Sequence, residues 1–129
     1  MKLKSFLIIT AIIYIPFGIG MMLIPYQLFG IYGFDLNADG AILGRVVGAA
    51  IVGLGLINYL SRNEDLSSVS LRAILIGNLV YHVLDTFIDF FPTYQGVVNA
   101  FTWSFVVLHI VLAIGFAYFL FRKPAVVQA

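Results

Sequence analysis

The chain has 129 residues, of which 62% are hydrophobic and 10% charged, and its formal net charge is +1. In a soluble domain about a quarter of the residues are charged, so this chain has too few charged residues to cover a water-facing surface. We therefore predict an integral membrane protein whose partners include membrane lipids. The small net charge excludes a basic surface for nucleic acid, and the absence of cysteine excludes disulfides, thiol catalysis and thiolate metal sites.

Four apolar runs are long enough to cross the roughly 30 Å hydrocarbon layer of a bilayer. They cover residues 6–24, 41–60, 71–91 and 97–121. Because lipid offers no hydrogen-bond partner to the backbone, each run is expected to be a helix. The sequence therefore predicts an all-α fold, an integral membrane four-helix up-down bundle, with residues 1–129 as a single transmembrane domain.

The first span follows Lys2 and Lys4 and is expected to end before Pro25. Its apolar run of about 19 residues is longer than the core of a signal peptide, and no small-residue cleavage site follows, so we predict a retained span. Pro16 lies inside the run and predicts a kink. The aromatic segment 26–34 is expected to pack over the mouth of the bundle or to form a lid over a lipid-accessible cavity.

The second span is expected to be capped by Asn37 or Asp39. It carries a stripe of small residues at four-residue spacing, Gly40, Gly44 and Gly48. A second set with this spacing on the fourth span is Gly96, Ala100 and Ser104. This pattern is typical of close helix packing in membranes, and it predicts packing within the chain or a homodimer through the first stripe.

The basic residues predict the topology. With four spans, those outside the spans fall on one side: Lys2, Lys4, Arg62, Arg72, Arg122 and Lys123. The two loops on the other side, residues 25–40 and 92–96, contain no Lys or Arg. By the positive-inside rule, both termini are predicted to lie in the cytoplasm, N-in and C-in.

The third span carries a polar stripe in its outer half. It consists of Asn78, His82, Asp85 and Asp89. On a helix, these spacings place the four side chains within an arc of roughly 60°. Polar residues inside a membrane are costly and usually face the bundle interior or a cavity. The helical rise places Arg45 level with the carboxylates, so an ion pair with Asp85 or Asp89 is expected.

Two histidines are predicted to lie deeper. His82 and His109 fall within about one helical turn of each other in depth, and Asp85 is expected to orient the ring of His82. Because the two histidines point inward from different helices, they could ligate a haem from both sides, or bind a metal ion together with Asp85. No His-rich motif accompanies them, so no cofactor and no metal site are predicted. Trp103 is predicted at the depth of Asp85.

A family resemblance follows from the residues at 16–25 and from the sequence GRVVGA at 44–49. The chain resembles the small four-helix bacterial membrane proteins of the DoxX-like kind, in helix number, Gly/Pro pattern and an Arg-x-x-Gly-Ala near the start of the second span. The resemblance implies a bundle in the bacterial cytoplasmic membrane and supplies no agreed activity. Sterol-isomerase-like and sigma-2-receptor-like proteins are similar in architecture alone, so no residue is carried over from them.

Besides a bis-His haem protein, two classes of function remain open. We predict a membrane-embedded binding protein for a small hydrophobic molecule, a lipid, quinone or isoprenoid, with a polar pocket in the outer half of the bundle. The predicted ligand-binding residues are Arg45, Asn78, His82, Asp85, Asp89, Trp103 and His109. The alternative is a membrane enzyme with isomerase-like chemistry, in which Asp85 or Asp89 acts as acid or base and His82 relays the proton.

Overall fold

The computed structural model describes residues 1–122, so Lys123, which the topology prediction uses, lies outside the described residues. The fold is 84% helical, and the described range contains no strand. Five α-helices follow one another: α1 (Leu3–Leu23), α2 (Pro25–Ile31), α3 (Ala38–Leu60), α4 (Val69–Tyr94) and α5 (Trp103–Phe121). Short 3-10 turns cover Ser61–Asn63 and Ala100–Thr102.

Four of these helices are long and apolar enough to cross a membrane, which confirms the predicted all-α class and fits the predicted membrane protein. The spans, with their adjoining 3-10 turns, are Leu3–Leu23, Ala38–Asn63, Val69–Tyr94 and Ala100–Phe121. Their outward faces carry exposed aliphatic side chains, such as Ile12 and Ile114, each 65% exposed. Side chains of this kind suit contact with lipid.

One predicted boundary near a proline is wrong. The third span was expected to end at residue 91, but α4 continues through Pro92 to Tyr94. Proline removes only one backbone donor, and in the same turn the Thr93 hydroxyl donates to the carbonyl of Asp89 at 2.6 Å. The first span begins three residues earlier than predicted, because α1 runs from Leu3 to Leu23 with Pro16 inside it, as expected.

The start of the fourth span also differs from the prediction. Gly96 adopts a left-handed φ of 70° in the turn after α4, a conformation that glycine tolerates best. The chain then makes the 3-10 turn Ala100–Thr102 before α5 begins at Trp103. The expected stripe of Gly96, Ala100 and Ser104 is therefore wrong, since these residues do not share one helix.

The glycine stripe on α3 makes contacts within the chain. A Cβ atom on Gly48 would lie 2.6 Å from the carbonyl oxygen of Gly18, so the backbones of α1 and α3 touch. A Cβ atom on Gly44 would lie 2.9 Å from the ring of Phe29. Gly40 donates its N–H to the side chain of Asn37 at 2.8 Å, which confirms the predicted helix cap. A homodimer through this stripe would need a surface that α1 and α2 cover.

Aromatic packing joins the first turns of α1 to the last turns of α5. The ring centroids of Phe6 and Phe116 are 4.7 Å apart, and those of Phe6 and Phe119 are 5.3 Å apart. Leu71 and Leu75, in the first turns of α4, are fully buried in the same core. This end of the bundle, which includes the turn Ser61–Asn63, is termed the terminal end. The opposite end, which includes α2, is termed the α2 end.

Candidate functional site

A buried cluster of amides lies where α1, α3 and α4 meet. Asn58 and Asn78 exchange two hydrogen bonds, of 3.0 and 2.9 Å. Asn58 also donates to the hydroxyl of Thr10 at 3.3 Å, and Asn78 donates to the carbonyl of Ile74 at 2.9 Å. Each side chain of the cluster is fully buried. These bonds satisfy polar groups that lipid would leave unpaired.

Tyr14 joins the amides to the two histidines. Its hydroxyl lies 3.3 Å from Oδ1 of Asn78 and forms a hydrogen bond with Nε2 of His82. Nδ1 of His82 lies 2.8 Å from Nδ1 of His109. A direct hydrogen bond between imidazoles on α4 and α5 therefore continues the path that begins on α1.

The path ends at two carboxylates. Nε2 of His109 lies 3.6 Å from Oδ2 of Asp85 and 3.9 Å from Oδ2 of Asp89. His82 and His109 are buried, whereas both aspartates are half-buried. We term the connected set Asn58, Asn78, Tyr14, His82, His109, Asp85 and Asp89 the polar chain.

The predicted contact of Asp85 with His82 is wrong. Asp85 lies beside His109, and His82 uses its two ring nitrogens for Tyr14 and His109. The sequence spacing allowed the pair on one helix, but it could not show that a histidine from α5 would lie between them. The ring of Phe116 stacks on His82 at 5.6 Å and holds it on this side of the core.

The predicted ion pair of Arg45 is also wrong. Arg45 is exposed, and its Nε donates to the carbonyl of Met22 at 3.2 Å. Neither Asp85 nor Asp89 forms a salt bridge with it within residues 1–122. The reason is helix pairing: α3 packs along α1, so position 45 faces the last turn of α1 and not α4.

Trp103 lies apart from the polar chain. Its side chain is 38% exposed, and its ring meets Phe90 edge-on at 5.6 Å between centroids. Because it begins α5 on the lipid-facing side, it contributes to neither cavity described below. Of the predicted ligand-binding residues, the structure brings together Asn78, His82, Asp85, Asp89 and His109, and it leaves out Arg45 and Trp103.

Two adjoining cavities flank the histidines. The first, of about 320 Å³, is bordered by Tyr14, His82, His109 and apolar residues of α1 and α5. The second, of about 390 Å³, has Asp85, Asp89 and His109 on a wall that is otherwise mainly aromatic and aliphatic. Residues that border both are Phe17, Ile51, Tyr81, Phe105 and His109. The carboxylates and His109 thus face a largely apolar space.

The segment between α1 and α3 borders these cavities at the α2 end. Tyr32 stacks on Phe105 with centroids 4.0 Å apart and borders the first cavity, while Phe29 and Phe34 border the second. Burial raises the pKa of the Tyr32 hydroxyl, so this group stays a neutral phenol at neutral pH.

Hydrogen bonds tie this segment to the start of α5. The side chain of Asn99 donates to the carbonyl of Ile31 at 2.8 Å, and the hydroxyl of Thr102 donates to the carbonyl of Tyr32 at 3.1 Å. Asn99 was expected inside the fourth span. Its position outside the helix lets it bridge two segments that are distant in sequence.

The histidine pair does not fit a bis-His haem. Two metal–nitrogen bonds of roughly 2 Å would place the ligating atoms about 4 Å apart with the metal between them, whereas the two Nδ1 atoms are 2.8 Å apart. The Nε2 atoms face Tyr14 and the carboxylates. Within residues 1–122, no group of three or more His, Cys, Asp or Glu has a geometry that would hold a metal ion.

Sequence reasoning missed Tyr14 and Thr10, and it did not assign Asn58 to the site. A signal was present, because Thr10 and Tyr14 stand four residues apart in an apolar run and therefore share one face of α1. Tyrosine is common in membrane helices near the interface, so this pair alone did not indicate a buried network.

Comparison with protein-family models, with curated proteins and with solved structures finds no match to this chain.

Proposed function

We propose that this membrane protein binds a small hydrophobic molecule of the lipid, quinone or isoprenoid class in the cavities at the α2 end. The observation that carries the proposal is the cavity of about 390 Å³, in which Asp85, Asp89 and His109 form one polar patch on an apolar wall. Pockets for small molecules have volumes of about 300–1,000 Å³ and combine apolar walls with a few polar groups.

The polar patch favours a ligand with a hydrogen-bond donor at one end. Carboxylates accept hydrogen bonds, and imidazole can accept or donate. The hydroxyl group of a lipid or isoprenoid alcohol, or of a reduced quinone, would therefore meet Asp85, Asp89 and His109, while the rings of Phe17 and Phe105 would contact the tail. Because the surrounding helix faces meet lipid, we propose that the ligand enters from the bilayer.

The test is extraction of the purified protein followed by mass spectrometry of the bound lipids. We expect a species in the wild type that falls at least about tenfold in an Asp85→Asn, Asp89→Asn variant, since a tenfold loss requires only about 1.4 kcal/mol of binding energy. Asp35→Asn is the matched control, because Asp35 is exposed in the segment before α3 and lies outside both cavities. Equal amounts of the same species in all three proteins would refute the proposal.

A second candidate is an enzyme that uses the same patch for acid–base chemistry of an isomerase-like kind. It is favoured by one observation: the carboxylates are connected through His109 to His82 and Tyr14, so a proton donor or acceptor is backed by other exchangeable protons. Incubation of the extracted molecule with the protein separates the two candidates. Conversion that depends on pH and is lost in Asp85→Asn supports an enzyme, and an unchanged molecule supports binding alone.

We also propose an up-down bundle with both termini in the cytoplasm of a bacterium, as expected for a protein of the DoxX-like kind. It is supported by the basic residues Lys4 and Arg62, which border one surface cleft at the terminal end. The chain contains no cysteine, so single cysteines report topology without background. In intact cells, a membrane-impermeant maleimide should label Asp35→Cys and not Ser67→Cys, and the reverse pattern would refute this orientation.

A further inference from the structure

The orientation of the Asn78 side chain determines which groups donate and which accept at this end of the polar chain. Its Nδ2 donates to the carbonyl of Ile74 and to Oδ1 of Asn58. This fixes the amide orientation, so Asn78 presents Oδ1, an acceptor, to Tyr14. The Tyr14 hydroxyl has one proton and lies beside two groups able to accept it, Oδ1 of Asn78 and Nε2 of His82.

The bond between the two Nδ1 atoms restricts the histidines further. A neutral imidazole has one N–H and one acceptor nitrogen, so one ring must donate from Nδ1 and the other must accept. If His82 donates, its Nε2 accepts from Tyr14, and His109 has its proton on Nε2, facing the carboxylates. This forward arrangement suits ionised Asp85 and Asp89, since each hydrogen bond has one donor and one acceptor and the Nε2 proton of His109 faces the negative carboxylates at 3.6 and 3.9 Å.

The opposite arrangement is also complete when a carboxyl group is protonated. The carboxyl proton then faces Nε2 of His109 across the 3.6 Å contact, and His109 donates from Nδ1 to Nδ1 of His82. His82 has its proton on Nε2 and donates to the Tyr14 oxygen, and the Tyr14 hydroxyl donates to Oδ1 of Asn78. The contact of Tyr14 with Asn78 gives its proton an acceptor in this reverse arrangement.

We propose that the charge of the Asp85–Asp89 pair sets the tautomers of both histidines, so that uptake of one proton at the cavity reverses a hydrogen-bonded chain that ends at Tyr14 in the core. The protons balance. The reverse arrangement holds one proton more than the forward one, and this proton is taken up from water at the cavity by the carboxylate. His109 exchanges its Nε2 proton for one on Nδ1, and His82 exchanges its Nδ1 proton for one on Nε2, so each ring keeps a single proton.

The groups that face the histidines leave the two aspartates as the charged groups that determine the histidine tautomers. Tyr14 approaches from α1, Tyr81 from α4 and Tyr32 from the segment before α3, and each is a phenol. On α3, Ile51 borders the cavities, and Arg45 points away to the carbonyl of Met22. Among the described residues that border these cavities, only Asp85 and Asp89 are acidic, and none is Lys or Arg.

This inference goes beyond ligand binding, because the reversal needs only a proton. It adds one consequence that rests on the proposed function. A ligand that donates a hydrogen bond to an ionised carboxylate stabilises the forward arrangement, so its binding releases a proton and is weakened at low pH. A failure of ligand binding would leave the tautomer reversal standing, and the two proposals can therefore fail separately.

The test is nitrogen NMR of the full chain, labelled with ¹⁵N in histidine, in lipid nanodiscs. The chain has two histidines, so a His109→Gln variant assigns both rings. Between about pH 9 and pH 4, we expect His82 to change from a proton on Nδ1 to a proton on Nε2, and His109 to change in the opposite direction. Asp35→Asn should keep this reversal, and the Asp85→Asn, Asp89→Asn variant should lose its pH dependence.

Three results would overturn the proposal. In the first, the tautomers of both rings stay unchanged over the whole pH range. In the second, the reversal persists in the variant without carboxylates. In the third, His109 carries protons on both nitrogens at low pH, which would place the added proton on the imidazole and not on an aspartate. The wild-type series decides the first and third results even if the double variant fails to fold.

Discussion

The two ends of the bundle belong to the same four long helices, yet their interiors differ. At the terminal end, Phe6, Phe116 and Phe119 are in ring contact, and the neighbouring leucines are fully buried. At the α2 end, the space between the spans holds cavities, with half-buried Asp85 and Asp89 at their border. The comparison indicates that the core at one end packs the helices together, whereas the other end encloses space beside ionisable groups.

Truncation of one aromatic ring at each end tests this comparison with the largest expected effect. Phe119→Ala should lower the free energy of unfolding by about 3–5 kcal/mol, because the ring is 2% exposed and leaves a cavity in a packed core. Phe105→Ala should cost about 1–2 kcal/mol, because this half-buried ring already borders open space. Unfolding by SDS in mixed micelles measures both.

Phe121→Ala is the control for that experiment, since its ring is 77% exposed to the surroundings of the bundle. We expect little change for it. Equal losses for Phe119→Ala and Phe105→Ala would contradict the division into a dense end and an open end.

A second prediction concerns the amide pair between the two ends. Asn58→Leu should destabilise the protein by about 1–3 kcal/mol, because it leaves the buried amide of Asn78 without its partner. The double variant Asn58→Leu, Asn78→Leu should recover much of this loss, since both partners are then apolar. A double variant less stable than the single one would show that Asn78 stabilises the fold mainly through Tyr14.

The smallest expected effect lies in the loop at the terminal end. The backbone N–H of Ser67, and then its hydroxyl, donate to Oδ1 of Asp65 at 2.8 and 2.7 Å, and these bonds lower the pKa of the Asp65 carboxyl. Because the folded pKa lies below the unfolded one, Asp65 stabilises the fold above the unfolded pKa, and this contribution disappears as the pH falls through the folded pKa.

Asp65→Asn should therefore reduce stability slightly at neutral pH and have no effect in acid. Ser67→Ala keeps the backbone donor and removes the hydroxyl, so the pKa of Asp65 should rise part of the way to its ordinary value. Carboxyl ¹³C NMR measures this pKa. An unchanged pKa in Ser67→Ala would show that the backbone bond alone is responsible.

Hydropathy and periodicity were sufficient to predict the four spans and the side chains that share a face of α4. Apolar length is a property of each segment alone, and the spacing of Asn78, His82, Asp85 and Asp89 fixes their relative directions on a helix. The cap at Asn37 was predicted for the same reason, because it depends on residues within one turn.

Contacts between segments could not be predicted in this way. The sequence does not state how each helix is rotated about its axis or which helices are neighbours, so it placed Arg45 beside the carboxylates when α3 in fact packs on α1. The same limit hid Tyr14, whose role depends on its position opposite Asn78 and His82.

The hydrogen bonds between Asn58 and Asn78 also bear on how the protein is made. During synthesis, α1 and α3 leave the ribosome before α4, and until then Asn58 can find only Thr10, on α1, among the partners described above. Tyr14 likewise lacks its hydrogen-bond partner His82 until α4 has been synthesised. A nascent chain that stopped after α3 would leave these groups without the partners that α4 supplies, so three of the four spans must be present before the buried hydrogen bonds are complete.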